Sequence, residues 1–162
     1  LYLNIQGLNH GKTLALETFL NGYINVLFIC ISEHWLNVEE AKLSFPRGYY
    51  CASSYCRADH IRGGTLIFAR SDIETHALDV TLHCKEFHFE LSAIINDELK
   101  IVVASLYHST SGNSSIFLSS LDEFLSFLFP WSEYTIVIGG DLNSNFDITT
   151  TKTTVKQFLN LL

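Results

Sequence analysis

Val26-Leu27-Phe28-Ile29-Cys30-Ile31 is the longest unbroken apolar run in the chain. A run so short and so apolar reads as a β-strand buried on both faces. Tyr134-Thr135-Ile136-Val137-Ile138 reads the same way. Strands of this kind need packing on each side, which points to layered sheets flanked by helices. Each run also ends in a polar cluster: Ser32-Glu33-His34-Trp35 follows the first, and Gly139-Gly140-Asp141-Leu142-Asn143 follows the second.

The remaining segments supply the other layers. Tyr2 to Ile5 alternates apolar and polar residues and then meets Gly7 and Gly11, a short strand leaving into a loop. Leu16, Phe19, Leu20 and Tyr23 recur at helical spacing, with Thr13 as N-cap and Gly22 near the end. Residues 49–55, 64–69, 73–80, 87–95 and 99–107 are rich in β-branched and aromatic side chains and read as strands. Asn96-Asp97 is a hairpin signal between the last two. Ser111-Gly112-Asn113-Ser114-Ser115 is a loop and N-cap cluster before the helical stripe of Phe117, Leu118, Leu121, Phe124, Leu125 and Leu128, which Pro130 ends. This stripe is core. Val155 to Leu162 looks like the opening of a third helix. The expected architecture is an α/β (α+β) sandwich of layered sheets.

The chain has 162 residues, the size of one domain spanning 1–162. With 48% hydrophobic and 17% charged residues, it is neither a disordered tail nor a coiled coil. No apolar stretch approaches the length of a bilayer span and no secretory leader opens the chain, so no membrane partner is expected. The formal charge of −7, from 10 Lys+Arg against 17 Asp+Glu, argues against holding nucleic acid by a basic face. Phosphate chemistry would have to rely on a cation. Cys30, Cys51, Cys56 and Cys84 include no CxxC pair, as in a reduced, intracellular protein without structural zinc. The chain contains no Met and opens directly on a strand-like segment, as a piece of a longer chain does.

Four polar clusters follow directly on strands: Asn4 with Gln6 and Gly7, Glu33 with His34, Tyr107 with His108, and Asp141 with Asn143. Functional groups gather outside strand ends, where the strand fixes the backbone and the loop frees the side chain. A carboxylate and an amide are hard oxygen donors suited to Mg²⁺, or to Mn²⁺, and Glu33 with Asn4 meets that need. Asp141 could orient or deprotonate a water, while Asn143 and Tyr107 could donate hydrogen bonds to phosphate oxygens. Taken singly, each has an ordinary structural explanation: Asn4 as a turn cap, Tyr107 as a strand aromatic, Asp141-Leu142-Asn143 as an Asx turn. Glu33 stands out, because an acid at the end of so apolar a strand loses hydration unless a cation or donor meets it.

Asn4-Ile5-Gln6-Gly7-Leu8, Ile31-Ser32-Glu33-His34-Trp35-Leu36, Arg62-Gly63-Gly64, Ser105-Leu106-Tyr107 and Ile138-Gly139-Gly140-Asp141-Leu142-Asn143 come in that order along the chain. Together they resemble the successive motifs of the endonuclease/exonuclease/phosphatase superfamily. The Ser-Glu-x-x-Leu and Arg-Gly-Gly variants are most similar to the apurinic-endonuclease-like domain of non-LTR retrotransposon reverse-transcriptase polyproteins. The resemblance implies a four-layer αββα sandwich of two mixed sheets, with the C-terminal strands missing from this chain. It implies Mg²⁺-dependent phosphodiester hydrolysis that nicks a DNA substrate, with a reverse-transcriptase domain as partner in the same polyprotein and a nuclear location when chromosomal DNA is cut. By position, Asn4 and Glu33 lie at the metal, Tyr107 near the scissile phosphate, and Asp141 with Asn143 at the attacking water and the phosphate.

Two departures accompany it. The family's terminal Ser-Asp-His motif has no counterpart here, and none of His10, His34, His60, His76, His83, His88 and His108 stands in that context. His108-Ser109 follows Tyr107 where such elements often carry Arg-Pro, so weaker DNA contact is expected. Two other functions stay open: a phosphatase or phosphodiesterase of the same superfamily acting on small phosphoesters, and a catalytically dead remnant serving as an interaction module.

Overall fold

The computed structural model describes residues 1–23, 25–143 and 157. Apart from Gln157, the segment Val155 to Leu162 read above as a helix lies outside the described residues. The order of elements is β1 (Tyr2–Asn4), α1 (His10–Leu20), β2 (Phe28–Ser32), α2 (Val38–Leu43), β3 (Tyr49–Tyr55), β4 (Thr65–Arg70), β5 (His76–Ala77), β6 (Glu90–Asn96), β7 (Ile101–Tyr107), α3 (Ser114–Phe127) and β8 (Thr135–Asp141). Short 3₁₀ turns lie at Thr81–His83 and Phe129–Trp131.

Two four-stranded sheets form, in the orders β1-β2-β4-β3 and β5-β6-β7-β8. In each, one pair is parallel, β1 with β2 and β7 with β8, and the remaining pairs are antiparallel. Both sheets are therefore mixed, as the resemblance implied.

Strand periodicity sorts the core into three slabs. Ile29, Ile31, Leu66 and Phe68 turn one face of the first sheet toward Leu16 and Leu20 of α1. Their neighbours Phe28, Cys30, Ile67 and Ala69 turn the other face toward Ile94 and Val103 of the second sheet. On that sheet's far side, Leu91, Ala93, Val102, Ala104 and Leu106 pack against Phe117, Leu121 and Phe124 of α3. The layers thus run helix, sheet, sheet, helix. The Val26–Ile31 reading is met from Phe28 onward in β2, whose residues are all buried, while Val26 and Leu27 precede the strand and are half-buried.

Four local expectations change. Helix α1 is capped by Asn9, whose side chain accepts from Lys12 N at 3.0 Å, and begins before Thr13, which is buried inside it. Leu16 and Leu20 face the core, whereas Phe19 and Tyr23 stay exposed and stack on each other at 4.5 Å. The strand expected over 73–80 shrinks to β5, because the chain pairs with β6 only at His76 and Ala77 before bonding into a 3₁₀ turn. Finally, β8 is not buried on both faces. Among the described residues it pairs with β7 alone, and Ile136 and Val137 are about two-fifths exposed (39% and 44%).

Helix α2, which the apolar pattern does not announce, is started by a capping box: Asn37 accepts from Glu40 N, and Glu40 accepts from Asn37 N. The Asn96-Asp97 hairpin is present, with Asn96 Oδ1 accepting from Leu99 N. All four cysteines are unpaired, and burial pushes Cys30 and Cys51 up to about 11 and Cys84 up to about 12, leaving unreactive thiols. Among the described residues, no helix is long and apolar enough to cross a membrane.

Phe68 is fully buried in the slab under α1. Phe68→Ala is expected to lower stability by about 3–5 kcal/mol, read from the urea unfolding midpoint at unchanged slope.

Candidate active site

The two parallel pairs bring their C-terminal ends to one edge of the sandwich. Asn4 is in register with Ser32, the residue before Glu33, and Tyr107 is in register with Asp141. Because the sheets pack face to face, ends from both meet there. Asn4 Nδ2 donates to Glu33 Oε1 at 3.0 Å and to Asp141 Oδ2 at 2.5 Å, joining carboxylates that come from different sheets. Asn143 N donates to Asp141 Oδ1 at 3.0 Å, so both oxygens of this carboxylate are oriented. The Asn143 side chain donates through Nδ2 to His108 O at 2.7 Å, which leaves its Oδ1 and second amide hydrogen available. The Tyr107 hydroxyl interacts with both Glu33 and Ser109. Burial, and then the negative charge of Glu33, pushes Tyr107 up to about 12, so its proton stays on at neutral pH. Of the five residues expected from the sequence, Asn4, Glu33, Asp141 and Asn143 thus form one hydrogen-bonded group, with Tyr107 in register beside Asp141.

This edge is held under strain. Among the described residues, Gln6 (φ +46°), Glu33 (φ +56°), Trp35 (φ +61°) and Asn143 (φ +45°) adopt left-handed backbone here. Such conformations persist only where surrounding bonds over-determine them. The bonds are present: Gly7 N reaches Glu33 O at 2.7 Å, Leu8 N reaches His34 O at 2.8 Å, Glu33 N reaches Gly64 O at 2.8 Å, and Trp35 N reaches Gly63 O at 3.0 Å. Gly64 is required, since at φ +84° a Cβ would lie 2.4 Å from His34 Nε2.

His34 is structural. Its ring is fully buried, with Nε2 donating to Tyr55 O at 3.0 Å and Nδ1 accepting from Leu36 N at 3.0 Å, a pattern that only the neutral ring satisfies. Burial pushes it down to about 4. His108 is likewise buried, with Nδ1 against Leu142 O at 3.1 Å.

Beside the five residues lies a cleft of about 520 Å³ lined by Glu33, Arg57, Arg62, Phe87, Tyr107 and Ser109, among others. Under it is an ion pair missing from the sequence reading. Glu90, with no exposed side-chain surface, accepts from Arg57 Nε at 2.7 Å, Phe87 N at 2.9 Å and Gly64 N at 2.6 Å. Glu90 stands at the start of an apolar strand, and the hydration argument that singles out Glu33 applies to it equally. Arg57 gives no such signal. Tyr107 is followed by His108, and the cationic side chains at this cleft are two arginines from the β3–β4 connection.

Among the described residues, no group of three or more His, Cys, Asp or Glu gathers to hold a metal. The oxygens of Glu33, Asp141 and Asn4 nonetheless suit a hard cation that needs one or two carboxylates and keeps its waters. With Nδ2 engaged by both carboxylates, Asn4 Oδ1 is the oxygen left for a cation, and no Lys or Arg pairs with either acid among the described residues.

No protein-family profile matches the sequence, and no curated protein matches it either. Solved structures do. An AP endonuclease from Leishmania major superposes with a TM-score of 0.70 at 19% identity, over 99% of this chain and 64% of that one. The endonuclease domain of TRAS1, a telomere-specific non-LTR retrotransposon, gives 0.66 at 14% identity, over 99% and 67%. A Neisseria 3′ phosphatase, NExo, bound to a product DNA hairpin, gives 0.65 at 15% identity, over 99% and 68%. The chain spans about two-thirds of the length of these nucleases and phosphatases, and the likeness shows the fold.

Two outcomes test the site's supports. Glu90→Gln leaves the buried Arg57 guanidinium without a counter-charge and is expected to cost about 3–5 kcal/mol in chemical denaturation. His34 is neutral in the fold and has a folded value below the unfolded one, so it contributes stability above about pH 6.5 that is lost as pH falls toward 4. The His34 ring should titrate by NMR with a midpoint near 4, whereas a solvent-exposed ring would titrate near 6.5.

Proposed function

We propose that this chain, which has the fold of the endonuclease/exonuclease/phosphatase superfamily, hydrolyses phosphodiesters with Mg²⁺ and nicks DNA. The observation that carries the reading is the Asn4 amide bridging Glu33 and Asp141 across the two sheets at the edge of an open cleft. Glu33 and Asn4 Oδ1 would hold the cation, which supplies positive charge to the phosphoryl oxygens as charge develops on them. Asp141, with one oxygen fixed by Asn4 and the other by Asn143 N, is oriented to accept a proton from the attacking water. Tyr107 keeps its proton and can donate a hydrogen bond to a phosphoryl oxygen. The second amide hydrogen of Asn143 is the other donor of this group.

The likeness to a retrotransposon endonuclease domain supports a cellular role as the nicking domain of such an element. In that role the nick exposes a 3′ hydroxyl for a reverse transcriptase of the same polyprotein, acting on chromosomal DNA in the nucleus.

Supercoiled plasmid incubated with the protein and Mg²⁺ should convert to open circles, and Glu33→Ala and Asp141→Asn should each slow conversion by about 10²-fold or more. Equal nicking by Glu33→Ala overturns the assignment. Turnover of small phosphomonoesters with plasmid left intact moves the site to phosphatase chemistry.

A further inference from the structure

We propose that Trp35, together with Arg62, is a stacking platform for an unpaired nucleobase next to the scissile phosphate. The substrate is then recognised as a single-stranded or locally unstacked nucleotide. The proposal rests on the phosphodiesterase reading and specifies the form of its substrate.

Trp35 is an apolar ring kept partly in solvent, 36% exposed, only two residues beyond Glu33. Hydrolysis gives it no task. Its position is nevertheless enforced at several points. The backbone takes φ +61°, an outlier for a bulky residue, and Trp35 N is tied to Gly63 O at 3.0 Å. Gly7, at φ +88°, lies so close to the indole that a Cβ there would sit 2.6 Å from Cε3. Two glycine-containing loops thus hold the ring where core packing would otherwise withdraw it.

The Arg62 guanidinium lies over this ring, 5.3 Å from its centroid, and Arg62 lines the same cleft as Glu33 and Tyr107. The comparison with Arg57 is informative. Arg57 lies over Phe87 at 4.2 Å but is locked by Glu90, whereas Arg62 forms no ion pair among the described residues. An exposed cation–π contact is weak, so the guanidinium can give way to a base, or cover it, and turn its charge to a flanking phosphate. Stacking also answers the charge problem. At −7 the chain has few cations to spare for duplex phosphates, whereas base–indole stacking draws on the π-face that every base has.

The two tryptophans make this testable. Trp131 packs against the α3 side of the core, away from the cleft, so Trp131→Phe isolates the emission of Trp35. Without Mg²⁺, a short oligo(dT) should quench Trp35 emission, and an abasic strand of equal length should not. Trp35→Leu should weaken oligo(dT) binding by about 10-fold or more, while Trp35→Phe, which keeps an aromatic ring, should retain most of the affinity. Equal quenching by the two strands, or equal affinity of Trp35→Leu and wild type for oligo(dT), overturns the proposal. Hydrolysis of bis(p-nitrophenyl) phosphate by the wild-type protein with Mg²⁺ tests the underlying reading separately. If that hydrolysis is absent, the phosphodiesterase reading fails; if it is present and the stacking results are negative, only the platform fails.

Discussion

The contact between the two sheets governs everything else in this molecule. On the faces that meet, each strand changes character along its length. In β2 the residues run Phe28, Cys30, Ser32, and in the antiparallel β4 they run Ala69, Ile67, Thr65. In β6 they run Ile94, Ser92, Glu90, and in β7 Val103, Ser105, Tyr107. The apolar ends cement the sandwich by burial. Of the polar ends, Ser105 Oγ donates across the interface to Ile31 O at 3.1 Å, Ser32 Oγ meets the Tyr2 hydroxyl of its own sheet at 2.5 Å, and among the described residues Thr65 Oγ1 and Ser92 Oγ are buried without a partner. The candidate active site is the outermost step of this gradient, where the strands end and Asn4 links an acid from each sheet.

Rigidity at that edge comes from groups that do no chemistry. Glu90 lies dry beneath the cleft and joins β6 to the β3–β4 connection through Arg57 and Gly64. His34 stays neutral and joins the segment after β2 to Tyr55 at the end of β3. These bonds over-determine the backbone around Glu33 and Trp35, which can then hold left-handed conformations that an exposed loop would relax. A site meant to orient a phosphoryl group gains from such fixing, because misplacement by an ångström costs rate steeply.

Much of this was legible in the order of the residues. Asn4, Tyr107 and Asp141 end strands and Glu33 follows one, and it is their occurrence together and in order that marks the site. What escaped reading was set by neighbours distant in sequence. Arg57 is an unremarked residue in a loop until Glu90, 33 positions later, is brought beneath it. The run Thr135–Ile138 is as apolar as β2, yet β8 has a strand on one side only among the described residues, and its side chains are correspondingly exposed. Apolarity records that a strand can be buried on both faces; position in the sheet decides whether it is. Helix α1 shows the same limit, since Phe19 and Tyr23 satisfy the helical spacing but find each other instead of the core.

By itself, the sequence determined the layered α/β class, the strand ends as the places where chemistry gathers, and the dependence of an acidic chain on something other than a basic face to meet phosphate. These follow from periodicity, hydration and net charge, which are properties of residues near one another in the chain or summed over it. Only the tertiary structure decided that Glu33 and Asp141 share one amide, that Glu90 is neutralised under the cleft, and that Trp35 lies beneath the guanidinium of Arg62, an arginine that lines that cleft. Those are contacts between residues far apart in sequence, and they exist only once two sheets have packed with their polar ends at the same edge.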